Sequence, residues 1–256
     1  MTMDKERIAA LLVEAQETAT PLTAEFKQDF TLEESYAVQK LVRDEKVRRG
    51  NRVLGKKIGF TSRGMRERFN MPSPDYGNLF SSDMFLQGEP IDTSRFIAPK
   101  VEGEIAFLLK KDLEGPNVTA YDVLDATAGV MACLEFVDTR WGFPVQPIDT
   151  IADNAACGGF LLGSKMLPLE NLDLRYIAMY MMRNGELINS GAGVEVMGDP
   201  INAMIWLANR LAMHGDKMHA GDIFLSGALT FAVDVKAGDN MSVCFSELGN
   251  IDVKFV

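Results

Sequence analysis

Apolar positions recur with two different periods along this chain. In the first fifty residues Ile8, Leu11, Leu12 and Ala15 follow the 3.6-residue period of a helix. A second helix is announced by Thr31-Leu-Glu-Glu34, a capping Thr with Glu three positions on. It runs through Tyr36, Val38, Leu41 and Val42 and should stop at Gly50. Beyond Arg52 the pattern changes to short apolar runs bounded by Gly, Pro, Asn and Asp, at 53–60, 104–110, 130–137, 159–163, 176–183, 222–226, 230–235 and 241–245. Such runs predict strands, and Asn184-Gly185 between Tyr-Met-Met-Arg and Glu-Leu-Ile-Asn predicts a two-residue hairpin turn. Two helical patterns interrupt the later part. One covers 119–127; the other opens at Asp199-Pro200, a cap followed by Pro at the first helical position, and runs to Met213. The expected architecture is α+β and β-rich, with a small, mainly helical N-terminal segment over residues 1–75 and a β-rich domain over 76–256.

Composition narrows the function classes. Of 256 residues, 47% are hydrophobic and 24% charged, values of an ordinary globular protein that exclude a disordered, collagenous or coiled-coil chain. The 36 acidic residues outnumber the 26 basic ones, for a net charge of −10, which repels a phosphate backbone and argues against nucleic acid as a partner. Cys133, Cys157 and Cys244 form no CxxC pair and read as reduced thiols, so the expected setting is the cytoplasm. The charged, amphipathic N-terminal stretch does not resemble a signal peptide. No window approaches 18 apolar residues, so no membrane span is expected.

The chemistry shows as charge where strands should be apolar. Glu102 and Glu104 lie two apart in Val101-Glu-Gly-Glu-Ile-Ala-Phe-Leu-Leu109, so both carboxylates face the same way. Either they end a strand in water, or a cation sits between them. Glu135 is the lone charge in Val130-Met-Ala-Cys-Leu-Glu-Phe-Val137, and must be ion-paired, with Arg140 as one partner, or protonated, or bound to a metal. Three oxygen donors without His or Cys suit Mg²⁺ or Mn²⁺ rather than zinc. In Val53-Leu-Gly-Lys-Lys-Ile-Gly-Phe60 a strand would turn one lysine inward and the other outward, Lys57 sharing a face with Val53, Gly55 and Gly59; an inward lysine could anchor an anionic substrate or move protons. Asp75, in Pro74-Asp-Tyr-Gly77, reads from its neighbours as a turn residue. Gly191-Ala-Gly193 lacks the third glycine of a dinucleotide site, Gly55-Lys56 is not a P-loop, and His214 and His219 sit together past the last helix, which makes a His-based triad hard to assemble.

An ordered set of motifs then carries a resemblance: Gly55-Lys-Lys-Ile-Gly-Phe-Thr-Ser62, Pro74-Asp-Tyr-Gly77, Glu102-Gly-Glu-Ile-Ala-Phe107, Leu134-Glu-Phe-Val-Asp138, Ala152-Asp-Asn-Ala155 and the closing Val-Lys-Phe-Val256. Together, over nearly the whole chain, they resemble the 2-hydroxypenta-2,4-dienoate (2-oxopent-4-enoate) hydratase and 4-oxalocrotonate decarboxylase family of the fumarylacetoacetate hydrolase superfamily. The resemblance implies a mixed, rolled β-sheet and Mg²⁺ or Mn²⁺ held by Glu102, Glu104 and Glu135. It raises Lys57 and Asp75 to catalytic candidates. Arg140, Asn154 and Ser226 are the substrate-binding candidates, with Arg63 a second basic residue for a substrate tail. Where relatives read Asp-Asn-Ala-Ser, this chain has Asp153-Asn-Ala-Ala156, so a serine role does not transfer. The implied activity is a metal-dependent hydratase (lyase) of meta-cleavage aromatic catabolism, with a decarboxylase as the rival and a non-catalytic assembly partner third. The implied assembly is a homo-oligomer, pentamer or decamer, able to associate with the sister decarboxylase or hydratase.

Overall fold

The computed structural model describes residues 4–23, 26 and 29–256. Two helices open the chain. α1 (Lys5–Thr18) is capped by the Asp4 carboxylate, which accepts from the Glu6 N–H. α2 (Leu32–Arg48) starts at the expected capping box, with Thr31 and Glu34 satisfying each other's backbone N–H groups. Ile8, Leu12 and Val13 of α1 meet Val38 and Val42 of α2 in a small core that also takes in Trp141 and Ala152. Two buried polar side chains help fasten α2 to the rest of the protein. Lys46 Nζ donates to Asp83 Oδ2 at 2.6 Å, and Gln39 Nε2 donates to the carbonyls of Tyr76 and Ile151.

The remaining chain forms two sheets. The large one orders its strands β2 (Asp75–Phe80), β1 (Val53–Gly59), β9 (Ile223–Ala228), β4 (Lys100–Leu109), β5 (Thr127–Val137), β6 (Cys157–Leu167) and β3 (Met84–Phe85), with the short β10 (Val233–Asp234) on β4. It is mixed: β1 runs parallel to β9 and β3 parallel to β6, while the other pairs are antiparallel. The small sheet is antiparallel, in the order β12 (Gly249–Lys254), β11 (Asn240–Phe245), β7 (Ala178–Arg183), β8 (Glu186–Ala192). Asn184 and Gly185, both at positive φ, make the expected hairpin turn between β7 and β8.

Strand alternation separates the core from the polar face. On β4, Val101, Ile105, Phe107 and Leu109 enter the main core with Met179 and Met181 of β7. Gly103 shares that face, where a Cβ would stand 2.9 Å from the Met179 Cε. The small sheet therefore lies hard against one face of the large sheet, and Glu102 and Glu104 are left on the other.

Several expectations change. The division expected after residue 75 falls inside β2, and β1, before it, is a strand of the large sheet; the helices ahead of the sheet end at Arg48. Asp75 is the first residue of β2 rather than a turn residue, because its strand pairs with β1. Only Val233–Asp234 of the 230–235 run is strand. Besides α4 (Ala120–Ala126) and α6 (Pro200–Ala212), which were expected, short helices form at α3 (Arg63–Phe69) and α5 (Pro147–Ala152). Neither is long enough to show a periodic apolar face.

Candidate active site

Register brings the carboxylates together. Glu102 of β4 stands directly opposite Glu135 of β5, and Glu104 opposite Cys133. Residues two apart share a face, so the three carboxylates converge, with one oxygen from each lying within 4.8 Å of the others. Glu135 and Glu104 are fully buried, and Glu102 is half-buried at the open end. The Gly227 N–H donates to Glu104 Oε2 at 2.8 Å. Glu104 Oε1 and Glu135 Oε2 have no hydrogen-bond partner among the described residues.

Lys57 reaches this group from β1, two strands away. Its Nζ lies 3.2 Å from Glu135 Oε1 and donates to the Ala155 carbonyl at 3.1 Å. Glu135 is therefore paired with Lys57, not with Arg140. Asp75 completes the row from β2, opposite Gly59. A Cβ at residue 59 would lie 2.2 Å from Asp75 Oδ1 and 3.2 Å from Lys57 Nζ, so the carboxylate lies across the glycine, where only a hydrogen fits. The expectation of one outward lysine does not hold. Lys56 points to the opposite face and is also buried, donating to Asn78 Oδ1 at 3.0 Å.

The electrostatics follow from this crowding. Burial, then the charge of Glu135, pushes Glu102 up to about 7. Glu104 is driven well above the usual carboxylate range by burial and by both neighbouring glutamates. Glu135 is raised by burial, against the pull of Lys57. Asp75 is pushed up to about 6, mainly by burial, with Lys57 drawing it back. Burial opposes the charge of Lys57, but Glu135, Asp75, Glu102 and Glu104 together hold its ammonium above the ordinary lysine range. Four carboxylates against one ammonium leave three negative charges uncompensated when all are ionised. Partnerless buried oxygens and an all-oxygen donor set fit a hard divalent cation at Glu102, Glu104 and Glu135.

The other candidates divide. Ser226, on β9 next to Gly227, is buried and its Oγ has no partner among the described residues, which leaves it free for a ligand. Arg140 does not take part as expected. It is buried, and Nε, Nη1 and Nη2 donate to the Asp153 carboxylate, the Cys157 carbonyl and the Asp153 carbonyl, so the guanidinium is consumed in holding this turn. Asn154 is likewise occupied, with both ends of its amide bound to Asn78. Arg63 opens α3 and pairs with Glu67 in solvent. Sequence reasoning missed Gly59, Asn78 and Gly227; an isolated glycine inside a strand run was the available signal for the first.

The profile described as "Fumarylacetoacetate (FAA) hydrolase C-terminal" matches residues 56–256. The chain belongs to the fumarylacetoacetate hydrolase family. Membership agrees with the motif resemblance and with the α+β, β-rich fold. Within the family, the chain is similar to a 2-hydroxyhexa-2,4-dienoate hydratase from Comamonas testosteroni, 40% identical over 243 residues covering 93% of this chain and 91% of the relative. It is 39% identical to a 2-oxo-hept-4-ene-1,7-dioate hydratase from Escherichia coli over 235 residues, covering 89% and 88%. Among solved family structures, 4-oxalocrotonate decarboxylase from Pseudomonas putida G7, complexed with magnesium and adipate, superposes with a TM-score of 0.93 at 35% identity, covering 100% of this chain and 99% of that one.

Proposed function

We propose that this protein is a divalent-cation-dependent hydratase that adds water to a 2-hydroxy-2,4-dienoate of the 2-oxopent-4-enoate type, giving a 4-hydroxy-2-oxo acid in meta-cleavage aromatic catabolism. The observation that carries the reading is the converging trio Glu102, Glu104 and Glu135, in which Glu104 Oε1 and Glu135 Oε2 are buried without a partner among the described residues, beside Lys57 and Asp75. The relatives named as hydratases support it. When bound, Mg²⁺ or Mn²⁺ held by the trio supplies a Lewis acid that stabilises negative charge on the substrate's 2-oxygen.

The chain's own groups do the rest. The dienol loses its hydroxyl proton and gains one at C5, giving an α,β-unsaturated 2-oxo acid; water then adds its oxygen at C4 and a proton at C3. Lys57, charged and fixed between Glu135 and the Ala155 carbonyl, faces the substrate's anionic end. Asp75, poised near 6, is the group able both to take a proton from water and to return one to carbon. The Ser226 hydroxyl orients a substrate oxygen or the water. Arg140 and Asn154 stay outside this set, because their polar atoms are already used.

The test is to incubate the purified protein with Mg²⁺ or Mn²⁺ and fresh 2-hydroxypenta-2,4-dienoate, following loss of the dienol absorbance and the product mass. Gain of one water, abolished by EDTA and by Glu135→Gln, is the expected result; turnover surviving Glu135→Gln refutes the three-carboxylate site. The likeness to 4-oxalocrotonate decarboxylase supports a second reading, decarboxylation on the same residues, which CO₂ release from 4-oxalocrotonate would establish. A cytoplasmic setting accords with three free thiols. Assembly into a homo-oligomer, or with a sister enzyme, accords with exposed Leu187 and Phe231 on neighbouring segments; a monomer in sedimentation would refute it. A purely non-catalytic partner role has no use for the buried, unpartnered oxygens of Glu104 and Glu135.

A further inference from the structure

The turn that leads into β6 has a costly backbone. Asn154, Ala155 and Ala156 hold φ values of 54°, 53° and 54°, three successive residues in the left-handed region, two of them alanines. Residues with a side chain resist this conformation, so surrounding contacts must impose it. The contacts are specific. Asn154 Oδ1 accepts from the Asn78 N–H at 2.7 Å and from Asn78 Nδ2 at 3.2 Å, while Asn154 Nδ2 donates to the Asn78 carbonyl at 2.9 Å. β2 is an edge strand, so the amide occupies a backbone N–H and C=O that no further strand pairs. The turn lies so close to β2 that a Cβ at Gly77 would stand 2.3 Å from the Asn154 carbonyl oxygen. Behind it, the Asp138 N–H donates to the Ala156 carbonyl at 2.9 Å, and Arg140 grips Asp153.

This arrangement delivers one atom to the site, the Ala155 carbonyl oxygen on Lys57 Nζ. A lysine on a four-carbon stem needs a second fixed partner besides Glu135 to hold one direction. We propose that Asn154 is a positioning residue, whose amide clamps the left-handed turn to the edge of β2 so that the Ala155 carbonyl fixes the Lys57 ammonium against Glu135. The proposal rests on the reading of Lys57 as a catalytic group.

The test compares the wild type with Asn154→Gly, which leaves the left-handed backbone sterically free and removes only the clamp. Trace acetic anhydride at constant pH labels lysines, and mass spectrometry reads the rates at Lys57 and at Lys46, the buried lysine paired with Asp83. We expect labelling of Lys57 to rise about tenfold or more while Lys46 stays within about twofold. On the substrate the wild type turns over, kcat should fall roughly tenfold to a hundredfold with KM within about threefold. Asn154→Asp keeps an oxygen to accept from the Asn78 N–H and should fall between; it carries the same comparison if Asn154→Gly does not fold. Unchanged Lys57 labelling, or equal rises at Lys57 and Lys46, overturns the clamp. Faster Lys57 labelling with unchanged kcat overturns its role in positioning. Faster labelling in the variant, with a wild type inactive on both the dienoate and 4-oxalocrotonate, upholds the clamp and overturns the functional reading instead.

Discussion

Replacing Glu102 by Gln should stabilise the metal-free protein while removing its response to cations. The three carboxylates bring oxygens within 4.8 Å of one another, and two unit charges at that separation repel by about 3.5 kcal/mol at an effective dielectric of about 20. The shift of Glu102 from 4.5 to about 7 leads to a similar figure, roughly 3 kcal/mol at about 1.36 kcal/mol per unit. Because the folded state holds this proton more tightly than the unfolded state, the contribution is complete below 4.5 and is lost as pH rises through about 7. At pH 8 in EDTA, Glu102→Gln, nearly isosteric and uncharged, should therefore exceed the wild type by about 3 kcal/mol, or roughly 6–12 °C in Tm. Near pH 4.5 the two should converge. Mg²⁺ at about a hundred times its Kd should return about 2.7 kcal/mol to the wild type and little to the variant. Urea and thermal unfolding at both pH values, with EDTA and with Mg²⁺, measure all of this. A variant less stable than the wild type in EDTA at pH 8, or one that Mg²⁺ stabilises equally, would refute the account of the trio as a repulsive cluster awaiting a cation.

Three further outcomes follow from the geometry. Gly59→Ala sets a methyl 2.2 Å from Asp75 Oδ1, so kcat should fall about a hundredfold; kinetics within a few-fold of wild type would show that the carboxylate need not lie there. In the wild type, kcat/KM should fall as pH drops below about 6, where Asp75 gains its proton and ceases to be a base; that acid limb should vanish in Asp75→Asn, and its persistence would assign it to another group. Lys46→Ala leaves Asp83 buried without its cation, for a loss of about 3–5 kcal/mol in urea unfolding, with kcat per folded molecule unchanged; a loss under about 1 kcal/mol would mean the pair holds no tension.

What the chain disclosed in advance was local. The capping box at Thr31 and Glu34, the Asn184-Gly185 turn and the shared face of Glu102 and Glu104 depend on residues a few positions apart, and each formed as expected. Glu135 stood out because a lone charge in an apolar run needs a partner wherever the run ends up. Its actual partner, Lys57, arrives only because β1 pairs with β9, more than 160 residues further on, and no local pattern encodes that pairing. The same gap explains the misreading of Arg140 and Asn154. Both are polar residues beside a motif, and whether their hydrogen-bonding atoms face a ligand or the protein depends on how the turn folds back on β2.

The facing register of Glu102 and Glu135 across β4 and β5 also limits how this chain can change in length. A strand's side chains alternate, so one residue gained or lost inside either strand would swing its acidic groups to the far side, against Met179 and Met181. In descent the two strands act as rulers of fixed length, tolerant of exchange at many positions but not of counting errors. Insertions and deletions among relatives should collect in the joints at 110–119 and 142–146, where a longer or shorter path leaves the alignment of the carboxylates untouched.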